Sequence, residues 1–233
     1  MPLEPTPPVE PPPKRLRALG AAATPKTKAP KKHETKATPK PETKARKKRP
    51  AMNDVVTIQI HTFGLDPLRV DFKADYEEIH REYKDYFKVD LHVIIDCRRQ
   101  FNKPKCKRGH NGHHDAFISG IVAKPEFKDW LAEVKETFMK AHEDHNPDET
   151  FHVGLFCKAG SNRSVACSLL LETIWKRAWN SGYTVLPVIH RSQEFWEARG
   201  ICNSECETCV NGENMTFKKF EALRKACHTW NEV

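Results

Sequence analysis

Cys157, Arg163 and Ser164 stand in one run, VGLFCKAGSNRSV (residues 153–165), at a spacing that suits them to hold an oxyanion. The run begins as an apolar strand and continues as an apolar helix. The turn between them gathers backbone N–H groups and a helix N-terminus around one point. Lys158, Ala159, Gly160, Ser161 and Asn162 supply the amides of that turn. Arg163 closes the ring with a planar fork of donors that matches a phosphate. Ser164 offers a hydroxyl to the ligand or caps the helix, and Lys158 adds a charge. The natural occupant is a phosphate, whether free, on a sugar or in a nucleic-acid backbone.

Two roles are open to Cys157: it lines the site, or it attacks phosphorus. The spacing Cys-x5-Arg-Ser resembles the signature loop of cysteine-dependent phosphatases, in which the thiolate is the nucleophile and the arginine binds the phosphoryl oxygens. Arg163 and the helix N-terminus are surroundings that depress a thiol pKa. A phosphatase also needs an acid to protonate the leaving alkoxide. The upstream candidates are Asp129, read as buried in mid-helix, and Asp148, close before the strand. Phe156 and Ala166 depart from the His and Gly of that pattern. A binding domain is the leading reading, and catalysis by Cys157 with Arg163 holding phosphate is the alternative.

A second constellation lies in residues 200–212, GICNSECETCVNG. Cys202, Cys206 and Cys209 have the short spacings of three ligands of a structural zinc site. Cys227, His228 or a residue of the 106–114 loop (Cys106, His110, His113, His114) is the fourth. Cys227 also reads as a core residue, and the plain alternative is reduced thiols. Residues 98–114 carry Arg98, Arg99, Lys103, Lys105, Lys107 and Arg108 with Phe101 free to stack, a combination that favours RNA or single-stranded DNA. Arg98 and Asn102 are placed to reach the phosphate crevice, Asp96 to orient Arg98 or Arg163, and His190 and Arg191 to form the opposite wall.

The elements that position these groups alternate between strand and helix. Val55–Phe63, Leu91–Cys97, Phe151–Phe156 and Tyr183–Ile189 read as strands. Between them run a helix over 73–88 and amphipathic helices marked by Phe127, Leu131, Val134 and Phe138, and by Cys167, Leu170, Leu171, Ile174 and Ala178. Phe217, Phe220, Leu223, Cys227 and Trp230 outline a final helix. This order implies an α/β layered domain with a mainly parallel sheet flanked by helices. Ligands of such sheets sit beyond the carboxyl ends of the strands, where the loops after Cys97 and Phe156 lie.

Residues 1–52 are of another kind. They hold 12 of the 17 prolines, and 14 Lys and Arg against four Glu, with no aromatic residue and no cysteine. Such a segment cannot bury enough apolar surface to offset chain entropy, so it reads as a disordered basic tail preceding a domain over 53–233. The net charge of +8 therefore belongs to the tail. Its basic clusters at 14–17 and 46–49 fit nuclear-localisation signals or nucleic-acid tethers. Neither a secretory h-region nor a run of ~20 apolar residues occurs, which points to an intracellular protein, nuclear or cytoplasmic, without a membrane partner.

From Val55 to Arg191 the chain resembles the C-terminal domain of the RapZ family of bacterial RNA-binding adaptors. Thr62-Phe63-Gly64 matches that family's Ser-Phe-Gly at the end of the opening strand. Asp96-Cys97-Arg98 followed by Asn102-Lys103-Pro104 matches its Asp-x-Arg and Asn-Pro, Ser119-Gly120 its Thr-Gly, and His190-Arg191 its His-Arg. Residues 156–165 match its loop Gly-Cys-Thr-Gly-Gly-x-His-Arg-Ser-Val, with Ala159 for a glycine and Asn162 for the histidine. The resemblance implies a non-enzymatic adaptor domain that binds RNA or a phosphorylated small molecule through the Cys157–Ser164 loop, with a protein as a further partner. The family's ATPase half is not implied, because no GxxxxGK[ST] occurs in the chain.

Overall fold

A computed structural model describes residues 55–98, 109–178, 182–201, 206–210 and 215–233. The basic tail, Asn102 and Cys202 lie outside the described residues, as do the cations of 99–108.

Strand β1 (Val56–Gly64) is central and buried along nearly its whole length, as expected of a strand covered on both faces. β3 (Phe151–Cys157) lies parallel beside it with Gly64 opposite Cys157, and β2 (Val93–Asp96) lies parallel on the far side of β3. On the other flank β1 pairs with β4 (Tyr183–Val185) and then β5 (Ile189–His190), both parallel. The order is β2-β3-β1-β4, with β5 continuing along β1. The single strand expected over Tyr183–Ile189 is thus divided. Pro187 has no N–H to give the ladder, and its carbonyl instead accepts from Gln59 Nε2 at 2.7 Å.

The α/β architecture read from the sequence is the one found. One face of the sheet is covered by α3 (Asp115–Val122), α4 (Phe127–Glu143), α5 (Arg163–Ala178) and α8 (Phe217–Glu232), which enclose the larger core. The other face carries α1 (Leu65–Leu68) and α2 (Tyr76–Phe87), with Phe63, Ile79, Tyr83, Leu91 and Phe156 between them. Short helices α6 (Gln193–Glu197) and α7 (Glu207–Val210) complete the described elements. Strand alternation sends Val153, Leu155 and Cys157 into the larger core and Phe156 to the opposite side.

The final helix turns differently from its expected stripe. Its buried face is Lys219, Ala222, Leu223, Ala226 and Trp230, while Phe217 is 80% exposed and Phe220 also faces outward. Thr216 caps it, accepting from Lys219 N at 3.1 Å. No described helix is long and apolar enough to cross a membrane.

Candidate functional site

The Cys157 loop lies where β3 ends beside β1. Gly64 lets it lie there, because a Cβ at that position would stand 2.5 Å from the Ala159 carbonyl carbon. The loop's carbonyls are tied from outside. Asp66 N donates to Lys158 O at 2.9 Å, Gly112 N to Ser161 O at 2.8 Å, and Ala166 N to Asn162 O at 2.9 Å. Its amides are not. Among the described residues, the N–H groups of Lys158, Ala159, Gly160, Ser161, Asn162, Ser164 and Val165 find no acceptor. Gly160 turns the chain with φ +72°, a left-handed value that brings successive N–H groups to one side. Consecutive amides of this kind at the start of a 16-residue helix are a source of positive potential.

Cys157 and Ser164, at the two ends of the loop, are 3% and 0% exposed, with Sγ and Oγ 3.3 Å apart. Ser161 Oγ donates to Asn162 Oδ1 at 2.7 Å, and Asn162 Nδ2 donates to His110 O at 2.9 Å. Arg163 reaches across to the end of β2, where Nη1 donates to the Arg98 carbonyl. Lys158 is exposed at the rim.

Asp96 orients Arg98 rather than Arg163. Its carboxylate receives Arg98 Nε at 3.0 Å and Nη2 at 2.8 Å, and Arg98 Nη1 donates to the Phe72 carbonyl. The guanidinium is buried and lies 4.7 Å from the Phe156 ring centre. The pair therefore works as a clamp at the strand end, binding the 72–76 turn to β2.

His190 and Arg191 do not form one wall, because adjacent strand-end residues point to opposite faces. His190 Nδ1 is 2.7 Å from Thr62 Oγ1, with its ring 5.0 Å from His113 on the α3 side. Arg191 lies over Phe87 of α2, 5.1 Å from the ring centre. Burial, with His113 adding to it, pushes His190 down to about 4, and burial with Arg191 and His152 pushes His61 down to about 3. Both imidazoles are neutral at pH 7, so His190 brings a dipole rather than a charge. Both take up protons on unfolding once the pH falls below the ordinary 6.5. Stability is fully present above that value and lost as the pH falls toward 4, by about 1.4 kcal/mol per pH unit for each group. The expected outcome is a urea midpoint that drops between pH 7 and pH 5; an unchanged midpoint would refute the assignment.

A second group forms where α7 meets the 109–114 segment. The ligand atoms of His110, Cys206 and Cys209 all lie within 4.8 Å of one another, with His110 Nδ1 3.3 Å from Cys209 Sγ. A metal ion fits these donors. Burial raises the Cys206 thiol, but hydrogen bonds with Thr208 and Cys209 outweigh it and hold its pKa below the ordinary value. Lys219, 0% exposed, is lowered by burial while Asp115 and Cys209 oppose the shift.

Of the expected ligands, Cys206, Cys209 and, from the 106–114 loop, His110 are there; Cys227 and His228 do not join them, and Cys106 lies outside the described residues. Lys219 is the α8 residue beside Cys209, and Cys227 lies eight residues, about 12 Å, further along the helix. Cys227 packs against the larger core, and His228 is exposed and pairs with Glu232 at 3.0 Å. Of the two expected acids, Asp129 is exposed in the first turn of α4, not buried in mid-helix. Asp148 precedes β3 at the end remote from Cys157, a seven-residue strand or roughly 20 Å away.

Sequence reasoning passed over Gly112, Ser192 and Lys219. Ser192 Oγ accepts from Gly64 N at 2.9 Å, and a Cβ on Gly112 would lie 2.1 Å from Asn162 O. Only the glycine left a signal, in the GHNGHH run. Comparison of the chain with protein-family models, curated proteins and solved structures finds no match.

Proposed function

We propose that the chain is an anion-binding domain whose Cys157–Ser164 loop holds a phosphate group, on RNA or on a phosphorylated small molecule, as an adaptor of the RapZ C-terminal type. The observation that supports this is the set of loop amides, those of Lys158 to Asn162 with Ser164 and Val165, that find no acceptor among the described residues at the N-terminus of α5. Carbonyls taken up by other backbone groups, with amides left open, are what an anion requires of a loop. Lys158 at the rim and the polycationic residues 1–52 favour a ligand with several phosphates, hence RNA.

The 3.3 Å contact between Cys157 and Ser164 also suits a phosphatase, in which the hydroxyl helps expel the thiolate. The positions of Asp129 and Asp148 weigh against it. The cofactor in this reading is a structural zinc ion at His110, Cys206 and Cys209, since mixed His and Cys donors suit that metal.

Calorimetry of the full chain with inorganic phosphate at fixed ionic strength tests the loop. Hydrogen bonds from a charged donor contribute about 1.5–3 kcal/mol, so Arg163→Ala is expected to weaken binding at least tenfold. Equal affinity in the variant would remove Arg163 from the site. Turnover of an aryl phosphate that vanishes in Cys157→Ser would instead establish the phosphatase.

A further inference from the structure

His110 belongs to two structures at once. Its ring stands among the thiols of Cys206 and Cys209, and its carbonyl accepts the side-chain amide of Asn162 in the anion loop at 2.9 Å. Two residues on, Gly112 N donates to Ser161 O at 2.8 Å, and Gly112 lies so close to Asn162 O that no side chain fits between. Residues 110–112 are thus a ledge beneath the half of the loop formed by Ser161 and Asn162. Asn111 stiffens the ledge locally, since its Oδ1 accepts from His113 N at 3.0 Å.

We infer that a metal ion bound by His110, Cys206 and Cys209 fixes this ledge against the anion loop, so that metal and phosphate bind cooperatively. The inference rests on the anion-binding and zinc readings above and adds the coupling between the two sites. In a tetrahedral site, bonds of about 2.3 Å to sulfur and 2.0 Å to nitrogen bring ligand atoms to about 3.5–3.8 Å from one another. A shift of about 1 Å in the widest separation, which is at most 4.8 Å, closes the group. The ion then joins the 109–114 segment to α7, elements about 100 residues apart in the chain.

Without the ion, the 109–114 segment meets α7 through contacts such as that of His110 Nδ1 with Cys209 Sγ at 3.3 Å and a hydrogen bond between His113 and the Cys209 backbone, neither as stiff as metal–ligand bonds. Ser161 and Asn162 are then held only as firmly as the ledge they are bonded to, and the ordering that phosphate must still impose on ledge and loop together is subtracted from its affinity. With the ion bound, the ordering is already done. By linkage, phosphate raises zinc affinity by the same factor that zinc raises phosphate affinity.

The experiment uses the full chain, stripped with a chelator and reconstituted with one equivalent of zinc, and titrated with inorganic phosphate. Phosphate affinity is expected to fall roughly 5- to 150-fold on stripping and to return with zinc. Zinc affinity, read by competition against a chromophoric chelator, is expected to rise by the same factor in saturating phosphate. Cys209→Ser should lose the response to zinc, and His110→Cys, which preserves a ligand, should keep it. Asn162→Ala should still bind zinc while zinc changes its phosphate affinity by a clearly smaller factor, a result that a variant failing to fold could not give. Zinc and phosphate each binding without affecting the other would overturn the coupling while leaving both earlier readings in place. A protein that binds no zinc overturns it together with the zinc reading, and one that binds zinc but no phosphate overturns it together with the anion reading.

Discussion

Gly160→Val is expected to abolish phosphate binding and to destabilise the domain by about 2–5 kcal/mol. Gly160 has φ +72°, and a Cβ there would lie 2.6 Å from Gly64 N, 2.6 Å from Ser192 Oγ and 2.8 Å from the Phe63 carbonyl carbon. Two of those three atoms are backbone of the central strand and cannot move aside without disturbing the β1–β3 ladder. A β-branched residue is also poorly accommodated at positive φ. The loop must therefore lift away from the end of β1, and its amides cease to converge. Gly109 provides the control. Its φ is +94°, but a Cβ there meets nothing within 4 Å. Gly109→Ala should cost only backbone strain, about 1 kcal/mol, and leave phosphate affinity intact. Urea unfolding and phosphate calorimetry on both variants decide the matter. Equal losses in the two would mean that φ alone, and not the close packing of loop on strand, governs the site.

Asp96→Ala is expected to be as damaging by a different route. Asp96 is the carboxylate that neutralises Arg98, whose guanidinium is buried between the Phe156 and Phe72 rings. Removing one partner of a buried pair leaves an uncompensated charge and typically costs about 3–5 kcal/mol. The damage should reach the anion site, because Arg163 donates to the Arg98 carbonyl at the same strand end. The double variant Asp96→Leu, Arg98→Met removes both charges while keeping apolar volume, and should recover most of the stability. Loss below about 1 kcal/mol in Asp96→Ala would show that the pair is solvated and is not the clamp described.

The strand, turn and helix that carry the proposed anion loop are legible in the sequence because they are local. Strand, turn, Arg-Ser and helix follow one another in VGLFCKAGSNRSV, so chain order and spatial order coincide. The metal group was only half legible. The thiol spacing marks Cys206 and Cys209 and the 106–114 loop offers His110 among four candidates, but which of them faces the thiols depends on how a segment about 100 residues earlier lies against α7. Lys219 misled the reading of α8. A lysine on the inner face is unusual, and the apolar pattern of α8 runs through Phe217 and Phe220, whereas Asp115 provides an opposing charge for Lys219 on the inside. Asp129 sits between Phe127, Trp130 and Leu131, and the helical period places it outward once those three define the buried side. Strand alternation alone would have separated His190 from Arg191. The four- and five-residue helices α1, α6 and α7 are too short for a period to show.

An amide-resolved phosphate titration of the full, isotope-labelled chain bears on the phosphate loop without intermediaries. At constant ionic strength, the N–H resonances of Lys158 to Val165 should move together and saturate at one phosphate per chain, with those of β2 and α8 little changed. Resonances of that loop that stay still while phosphate is bound elsewhere, or not bound at all, would end the case for it.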